Sequence, residues 1–297
     1  MEVAIEERAA ARVQQARAAL ALGKPGIAAF ITMAAVAAYI VAGGSVASAA
    51  FVHVTVATAL VAMGAAGLNQ VREAEIDARM RRTRNRPVPS GTLARQQAVT
   101  VAVGLSVLGF AYSAMVLPWM TTVLLALSHA SYVALYTPLK RITPHNTLVG
   151  GIPGSLPVLA GWVAAGAAID AVALSLLCVL FLWQIPHFLA IGWLCRDDYR
   201  DAGFRMLTVD DTDGIATARI SAAYALALLP VSLVPYFAGV AGSAYAAAAL
   251  AAGTWYLWRA AAFLARRTNA RARGMFLASL AYLPVVLVVL VVETLLS

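Results

Sequence analysis

The stretch NQVREAEIDARMRRTRNRP, residues 69–87, lies between two apolar segments that are each long enough to span a membrane. Asn69, Glu73 and Asp77 recur at every fourth position, so a helix would place all three on one face, each offset by about 40° from the last. Carboxylates followed by guanidinium groups indicate a site that holds a divalent cation and a polyanion together. The arginines alone fit equally well a cytoplasmic loop that obeys the positive-inside rule. They are Arg79, Arg81, Arg82, Arg84 and Arg86.

The composition excludes an ordinary soluble domain. Of 297 residues, 62% are hydrophobic and only 12% are charged, and the mean hydropathy is +0.79. The apolar runs are continuous rather than alternating, which favours helices over a β-barrel. We therefore predict an all-α polytopic membrane protein. A net charge of +8 would suggest nucleic acid as the partner of a soluble protein, but here membrane topology accounts for the charges and we expect no nucleic acid.

The chain divides into a short arm and one membrane domain. Residues 1–24 are charged and Ala-rich and lack the pattern of a cleaved signal peptide, so we predict a cytoplasmic arm. Residues 25–297 form a single predicted domain of nine transmembrane helices. The apolar segments cover about 27–42, 47–68, 97–117, 120–136, 148–165, 171–194, 216–238, 243–264 and 275–296.

The basic residues support that count of nine. With the N-terminus in the cytoplasm, all 22 Lys and Arg residues fall in the arm or near the loops after the second, fourth, sixth and eighth segments. The C-terminus then lies on the opposite side of the membrane. Only Asp170 and Glu293 fall on that opposite side, although acids have little influence on orientation. The other acids are therefore expected to form a polar, metal-competent site on the cytoplasmic face.

A second acidic cluster follows the sixth segment. Asp197 and Asp201 are spaced four apart with Asp198 between them. Alone, this cluster is typical of a solvated loop, but it lies on the same predicted face as the first row. Two facing rows could bind Mg²⁺ ions that bridge a diphosphate, because Mg²⁺ prefers a few carboxylates together with substrate phosphate oxygens. The candidate partners for the remaining phosphate charge are Arg81, Arg82, Arg86, Lys140 and Arg141.

The middle of the chain suggests a pocket for an apolar molecule. Residues 136–157 hold several prolines and glycines, which break helices and allow close packing, and which could border a tunnel for an apolar chain. Gln184 and His187 lie one helical turn apart and could meet an acceptor substrate. For each of His53, His129 and His187, a hydrogen-bonded interior side chain is the simpler interpretation.

Three pieces of the sequence resemble a known family. The row N-x-x-x-E-x-x-x-D in residues 69–87, the row D-x-x-x-D in residues 183–207 and the piece 136–157 are similar to the intramembrane prenyltransferases of the UbiA type. The runs D-x-x-M-x-R-T-x-x-R-P and W-Q-x-P-H-F are most similar to the haem O synthases, a branch of that family. The resemblance covers about residues 25–296. Glu73 and Glu75 stand where aspartates are common in the family, and Pro157-Val158 stands where the family has Pro-Pro.

The resemblance implies a Mg²⁺-dependent enzyme of the bacterial cytoplasmic (inner) membrane, with its active site on the cytoplasmic face. Such an enzyme transfers the farnesyl group of farnesyl diphosphate to the 2-vinyl group of haem B, adds water and releases haem O and diphosphate. An enzyme that receives haem O is a further partner that the resemblance allows.

The resemblance also implies residue roles. Glu73, Asp77, Asp197, Asp198 and Asp201 would hold metal, and Asn69 would complete the first row. His187 would lie near the acceptor. The diphosphate partners would be Arg81, Arg82, Arg86, Tyr136, Lys140 and Arg141.

Three other functions remain open at this stage. A prenyltransferase could use a quinone precursor or a chlorophyll-like acceptor, and a haem-binding membrane protein could leave farnesyl diphosphate intact. A transporter is the third, although transporter sites usually lie near the midplane of the membrane rather than at one face.

Overall fold

The computed structural model describes residues 13–296, and that part of the chain is helical with no strand. The predicted all-α fold is confirmed. Helix α1 covers Val13–Leu22 and meets α2 at a bend of 48°. The other helices are α2 (Pro25–Val41), α3 (Ala49–Asp77), α4 (Arg95–Val116), α5 (Trp119–Ala130), a π-helical turn (Ser131–Tyr136), α6 (Thr137–Leu139), α7 (Asn146–Ala164), α8 (Ala171–Leu194), α9 (Arg196–Asp201), α10 (Leu207–Asp210), α11 (Ile215–Ser232), α12 (Val234–Phe237), α13 (Ser243–Ala265) and α14 (Asn269–Leu296).

Each of the nine predicted apolar segments lies on a helix, but their count as membrane spans stays a prediction. Seven helical segments within residues 13–296 are long and apolar enough to cross a membrane, and the bent pair of α1 and α2 makes an eighth if it is one span. Helix α13 is not among them, because Arg259 and the small and aromatic residues around it lower its hydropathy. The orientation also stays a prediction. Of the predicted arm, residues 1–12 lie outside the described residues.

Local chemistry explains where several of these helices begin. The Ser48 hydroxyl accepts a hydrogen bond from the backbone N–H of Phe51, and the Asp170 carboxylate accepts one from Ala173, so α3 and α8 begin with side-chain caps. Pro25 occupies the first position of α2, where no backbone donor is needed. Helix α3 continues past the predicted end of its apolar segment to Asp77, so the whole acidic row is helical as expected.

The long helices pack into one bundle, and contacts between the last helix and the first long helix close it. Helix α3 packs along α4, and α2 packs between α3 and α7. Helix α7 also contacts α5 and α8, and α8 contacts α11 and α14. Helix α13 fills the space between α11 and α14, and α14 returns to contact α2. Helix α7 buries 72% of its apolar stretch, a larger share than any other candidate span, so it is the central helix of the bundle.

A glycine in α7 sets how closely the central helix approaches α2. A Cβ atom built on Gly161 would overlap the backbone carbonyl oxygen of Ala35. Small residues allow this kind of close backbone approach between membrane helices. Since the neighbour is backbone rather than the end of a flexible side chain, α2 could relieve the overlap only by moving.

We expect Gly161→Ala to destabilise the protein by about 1–3 kcal/mol, the usual range for overpacking a tightly packed interface. The measurement is the unfolding midpoint of the purified protein in detergent. Gly104→Ala is the matched control, because a Cβ at Gly104 in α4 meets nothing within 4 Å. This control should be neutral or slightly stabilising, since Ala favours helix over Gly. Equal midpoints for the two variants would contradict the proposed role of Gly161.

Candidate active site

The acidic row is buried at the C-terminal end of α3. Asn69 is 0% exposed, Glu73 5% and Asp77 2%. Their burial on one face of the helix confirms the geometry expected from their spacing. A buried carboxylate is costly unless it is paired and hydrogen-bonded, so the partners of this row decide what the site can do.

Each member of the row bonds to a basic side chain from a different segment. One basic residue comes from the α1–α2 junction, one follows α6 and one lies in the arginine-rich loop. The Nζ of Lys24 donates to Oδ1 of Asn69 at 2.8 Å, the Nζ of Lys140 donates to Oε1 of Glu73 at 2.8 Å, and Nη1 of Arg86 donates to Oδ2 of Asp77 at 2.6 Å. Three segments that are distant in sequence therefore meet at one polar site.

The cation beside Glu73 is held firmly in its charged form. Burial disfavours the ammonium of Lys140, but the neighbouring Tyr136 and Glu73 side chains outweigh burial, and the pKa of Lys140 lies above its usual value. The ammonium also lies 4.6 Å from the centre of the Tyr136 ring. Lys140 and Tyr136, both predicted as site residues, therefore act together on the row.

Lys24 is a site residue that the sequence analysis missed. It is the one non-glycine residue with positive φ (48°) in residues 13–296, a conformation that is uncommon outside glycine. Gln70 fixes the junction from the other side, because its Nε2 donates to the carbonyl of Leu22 at 2.6 Å. The sequence did contain one signal for it. Lys24 is a lone basic residue beside Pro25, at the start of the first apolar helix, and ionisable residues in or near membrane helices are usually functional.

The second acidic cluster lies on α9 and is less buried than the first. Asp197 is exposed and bonds to Arg200 at 3.0 Å, Asp201 is exposed, and Asp198 is half-buried. In residues 13–296, no group of three or more His, Cys, Asp or Glu side chains is close enough to hold one metal ion. The structure therefore does not join the two clusters into one carboxylate cage, and the metal roles of these aspartates stay a prediction.

Other contacts do bring the two acidic loops together. Nη2 of Arg82 donates to the hydroxyl of Tyr199 at 3.3 Å, and Tyr199 packs against the cluster that contains Met80, Phe204 and Met206. Two hydrogen bonds join the loop that follows α9 to the region after α6. The backbone N–H of Arg205 donates to the carbonyl of Lys140 at 2.8 Å, and the side-chain Nδ2 of Asn146 donates to the carbonyl of Arg205 at 2.8 Å.

The remaining predicted phosphate partners lie at the edge of the site. Arg81 and Arg141 are exposed. Arg141 lines a cavity of about 280 Å³ together with Glu73 and Arg72, so it borders the first row directly. Arg81 has no side-chain hydrogen bond within residues 13–296, and its proposed contact with a ligand is untested.

A larger, mainly apolar cavity lies within the bundle beside the acidic row. Its volume is about 440 Å³, which is within the usual range of small-molecule pockets. Tyr132 and Tyr136 line it next to the row, and the Tyr132 hydroxyl donates to Oδ1 of Asn69 at 3.4 Å. Gly150 and Gly154 also line the cavity, as expected for a region of close packing. An apolar compartment thus borders a strongly polar one.

The two tyrosines belong to the π-helical turn, Ser131–Tyr136. Pro138 follows the turn and has no N–H to donate to a carbonyl in the preceding turn, which favours the wider winding. The carbonyl of Tyr132 accepts both the backbone N–H of Thr137, across the wider turn, and the Thr137 hydroxyl at 2.8 Å. Sequence analysis placed Tyr136 in the site but missed Tyr132, because a π-helical turn has no periodic signature.

Three histidines are hydrogen-bonded in the interior, as the simpler interpretation predicted. His187 is the most buried of them and lines the large cavity together with Gln184. The three bonds join His53 to Tyr112 at 2.7 Å, His129 to Ser106 at 2.9 Å and His187 to Ser279 at 2.7 Å.

The sequence matches a known protein family over most of its length. Residues 29–283 match the sequence model of the UbiA prenyltransferase family. The chain belongs to this family. It is 42% identical to the protoheme IX farnesyltransferase of Solibacter usitatus (strain Ellin6076), over 79% of this chain and 80% of the relative. The resemblance noted in the sequence is therefore confirmed.

Solved structures with the UbiA fold are also similar. A structure described as digeranylgeranylglyceryl phosphate synthase matches with a TM-score of 0.79 at 15% identity, over 95% of this chain and 99% of that one. A UbiA homologue from Archaeoglobus fulgidus, bound to GPP and Mg²⁺, matches with a TM-score of 0.65 at 14% identity, over 92% and 99% of the two chains. At these identities the likeness shows the fold, and the fold is that of the UbiA family.

We expect the Glu73–Lys140 pair of this UbiA-family protein to be strongly coupled in a double-mutant cycle. Its side chains are 7% and 15% exposed, so removing either one leaves a buried, unpaired charge. The measurement is the unfolding free energy in mixed micelles of Glu73→Gln, Lys140→Met and the double variant. The coupling should be about 2 kcal/mol or more.

The exposed pair of Glu75 and Arg95 is the control for this cycle. Its side chains are 84% and 60% exposed, so its coupling should stay below about 1 kcal/mol. Similar coupling in the two pairs would contradict the importance of burial at Glu73.

Proposed function

We propose that this chain transfers the farnesyl group of farnesyl diphosphate to the 2-vinyl group of haem B, with addition of water, and releases haem O and diphosphate. The observation that carries the proposal is the apolar cavity that borders a buried acidic row with three basic partners. This arrangement suits a substrate with an apolar chain and a charged head. The Solibacter usitatus relative, at 42% identity, supports farnesyl transfer and haem B as the acceptor.

The donor set of the acidic row fits Mg²⁺. Asn69, Glu73 and Asp77 offer only oxygen ligands, and Mg²⁺ is commonly held by one or two carboxylates plus substrate phosphate oxygens. The cations now bonded to these side chains lie at places where a metal ion could replace them. Asp198, with Asp197 and Asp201, would hold metal on the other side of the diphosphate. When bound, Mg²⁺ supplies positive charge that stabilises the leaving diphosphate.

The cationic side chains would stabilise charge that develops on the departing diphosphate. Lys24, Lys140 and Arg86 already lie in the site, so they need little reorganisation during the reaction. They are bonded to the acidic row in the described structure, and a metal on the carboxylates would leave their donors available to phosphate oxygens. Arg81, Arg82, Arg141 and Tyr136 complete this set at the edge.

The apolar cavity would hold the farnesyl chain and keep water from the allylic cation until the acceptor has reacted. Both the prenyl donor and haem B are lipophilic, so a compartment inside the bundle suits both. We place the protein in the bacterial cytoplasmic membrane, with this site at the cytoplasmic face and an enzyme that consumes haem O as its downstream partner.

The product can be measured directly. Purified protein in detergent, incubated with haem B, farnesyl diphosphate and Mg²⁺, should yield a haem with a farnesyl and a hydroxyl group added across one vinyl double bond. Mass spectrometry of the extracted haem is the readout. EDTA should abolish the new species, because without a metal the diphosphate is a poor leaving group.

Other outcomes of the same incubation separate the remaining functions. Release of diphosphate with unchanged haem would indicate another acceptor, such as a quinone precursor. Unchanged haem and intact farnesyl diphosphate, with protein shown to be folded, would contradict the proposed enzyme activity. Uptake of a solute by proteoliposomes without diphosphate release would then favour a transporter.

We expect Asp77→Asn and Asp198→Asn each to lower kcat by at least about a hundredfold, the usual cost of removing one charge-stabilising group from an active site. Circular dichroism should show unchanged helix content. Asp210→Asn is the matched control, since Asp210 is exposed at the end of α10, and its kcat should be near wild type. Near-normal turnover in either site variant would remove that carboxylate from the mechanism.

A further inference from the structure

His187 lies in the wall of the large cavity, in a setting that fixes its ring. It is stacked on Trp183, with ring centres 5.0 Å apart and planes at 24°, and it packs against Phe276 at 5.2 Å. The position of Trp183 is fixed in turn, because its Nε1 donates to the carbonyl of Ser279 at 2.7 Å. The imidazole therefore has little freedom to tilt or flip.

The hydrogen bonds around His187 also determine which ring nitrogen carries the proton. The Ser279 hydroxyl donates its single hydrogen to the carbonyl of Phe276 at 2.5 Å, so toward His187 it can only accept. With the Ser279 hydrogen directed to Phe276, we assign Nδ1 of His187, 2.7 Å from that oxygen, as the donor. In the neutral ring, Nε2 is then left with an available lone pair.

Nε2 is available to a ligand in the cavity. Among residues 13–296 it has no hydrogen-bond partner. It is also not one of the fully buried polar atoms that lack a partner, so it is accessible from the cavity. A histidine that ligates a metal almost always donates its other N–H to a fixed acceptor, which sets its tautomer and orientation. His187 has the same arrangement, with Nδ1–H donated to Ser279 and Nε2 facing the cavity.

The cavity offers few other ligands for the iron of a porphyrin. No Cys, Met or Lys lines it, and His129 is the one other histidine in its wall. Tyr132 and Tyr136 also line it, but they lie beside the acidic row, where the Tyr132 hydroxyl donates to Asn69 and the Tyr136 ring lies under the ammonium of Lys140. By the same reasoning, His129 donates from Nε2 to Ser106, whose hydroxyl donates to the carbonyl of Ala102. Only Nδ1 of His129 is left to coordinate. Nδ1 is adjacent to Cγ, the ring carbon bonded to Cβ. A porphyrin coordinated at Nδ1 would therefore collide with the helix that carries His129.

We propose that Nε2 of His187 is an axial ligand of the haem iron, with Ser279 as the residue that positions it. This inference rests on haem B being the acceptor. Coordination would fix the centre of the porphyrin beside α8, so that only rotation about the iron–nitrogen bond determines which edge of the ring faces the acidic row. His187 would thus contribute to selecting the vinyl group that reacts.

Resonance Raman spectroscopy of the ferrous haem B complex tests the ligation. The full-length protein is placed in lipid nanodiscs with haem B and without farnesyl diphosphate. The wild-type complex should show an iron–histidine stretching band. His187→Ala should lose that band, and added imidazole should restore it. His53→Ala is the control, because His53 does not line the cavity, and it should keep the band.

Ser279→Ala provides a second test that does not remove the ligand itself. It should keep the iron–histidine band but move it to lower frequency, because Nδ1–H loses its acceptor and the imidazole becomes a weaker donor to iron. The Kd for haem B should rise by about tenfold. This variant keeps the test decisive if His187→Ala fails to fold.

Several results would overturn the ligation. A band that persists in His187→Ala, a band that disappears in His129→Ala instead, or folded wild-type protein that binds haem without such a band would each do so. Farnesyl transfer is measured on the same samples. Haem O formed without an iron–histidine band would leave the proposed reaction standing and remove the ligation, whereas the band without haem O would do the reverse.

Discussion

The structure depends on the burial of a row of polar and acidic side chains at the end of a membrane helix. A buried carboxylate is stable only with charge and hydrogen-bond partners, and α3 cannot supply them itself. The partners come from the α1–α2 junction, from the segment after α6 and from the arginine-rich loop. The buried Glu73 and Asp77 therefore require the segment after α6 and the arginine-rich loop to pack beside α3, and the buried Asn69 holds the α1–α2 junction there.

The same arrangement divides the interior into two compartments with different chemistry. Tyr132 and Tyr136 stand at the boundary, with their rings toward the apolar cavity and with Asn69 and Lys140 as polar neighbours. On one side of this boundary charge is stabilised, and on the other an apolar molecule is shielded from water. A reaction that separates an anion from a lipophilic cation needs both compartments in contact, which is why we favour prenyl transfer over transport.

Sequence reasoning predicted the helices and the acidic row well, because long continuous apolar runs and four-residue spacing are local signals. It did not predict Lys24, whose role depends on a left-handed backbone at a helix junction and on a partner 45 residues away. Nor could it find Ser279, which acts on His187 from another helix. Whether the aspartates of α9 bind metal was also beyond it, because their distance to α3 is set by tertiary packing and not by spacing in the chain.

The π-helical turn makes one segment sensitive to chain length in a way that ordinary helices are not. Its wider winding accommodates an additional residue before Lys140. Insertion of a further residue into Ser131–Tyr136, with no second wide turn to accommodate it, would rotate everything that follows by about 100° relative to α3. Lys140 would then point away from Glu73. This part of the chain can therefore accept changes of side chain far more readily than changes of length, and its residue count is itself a functional property.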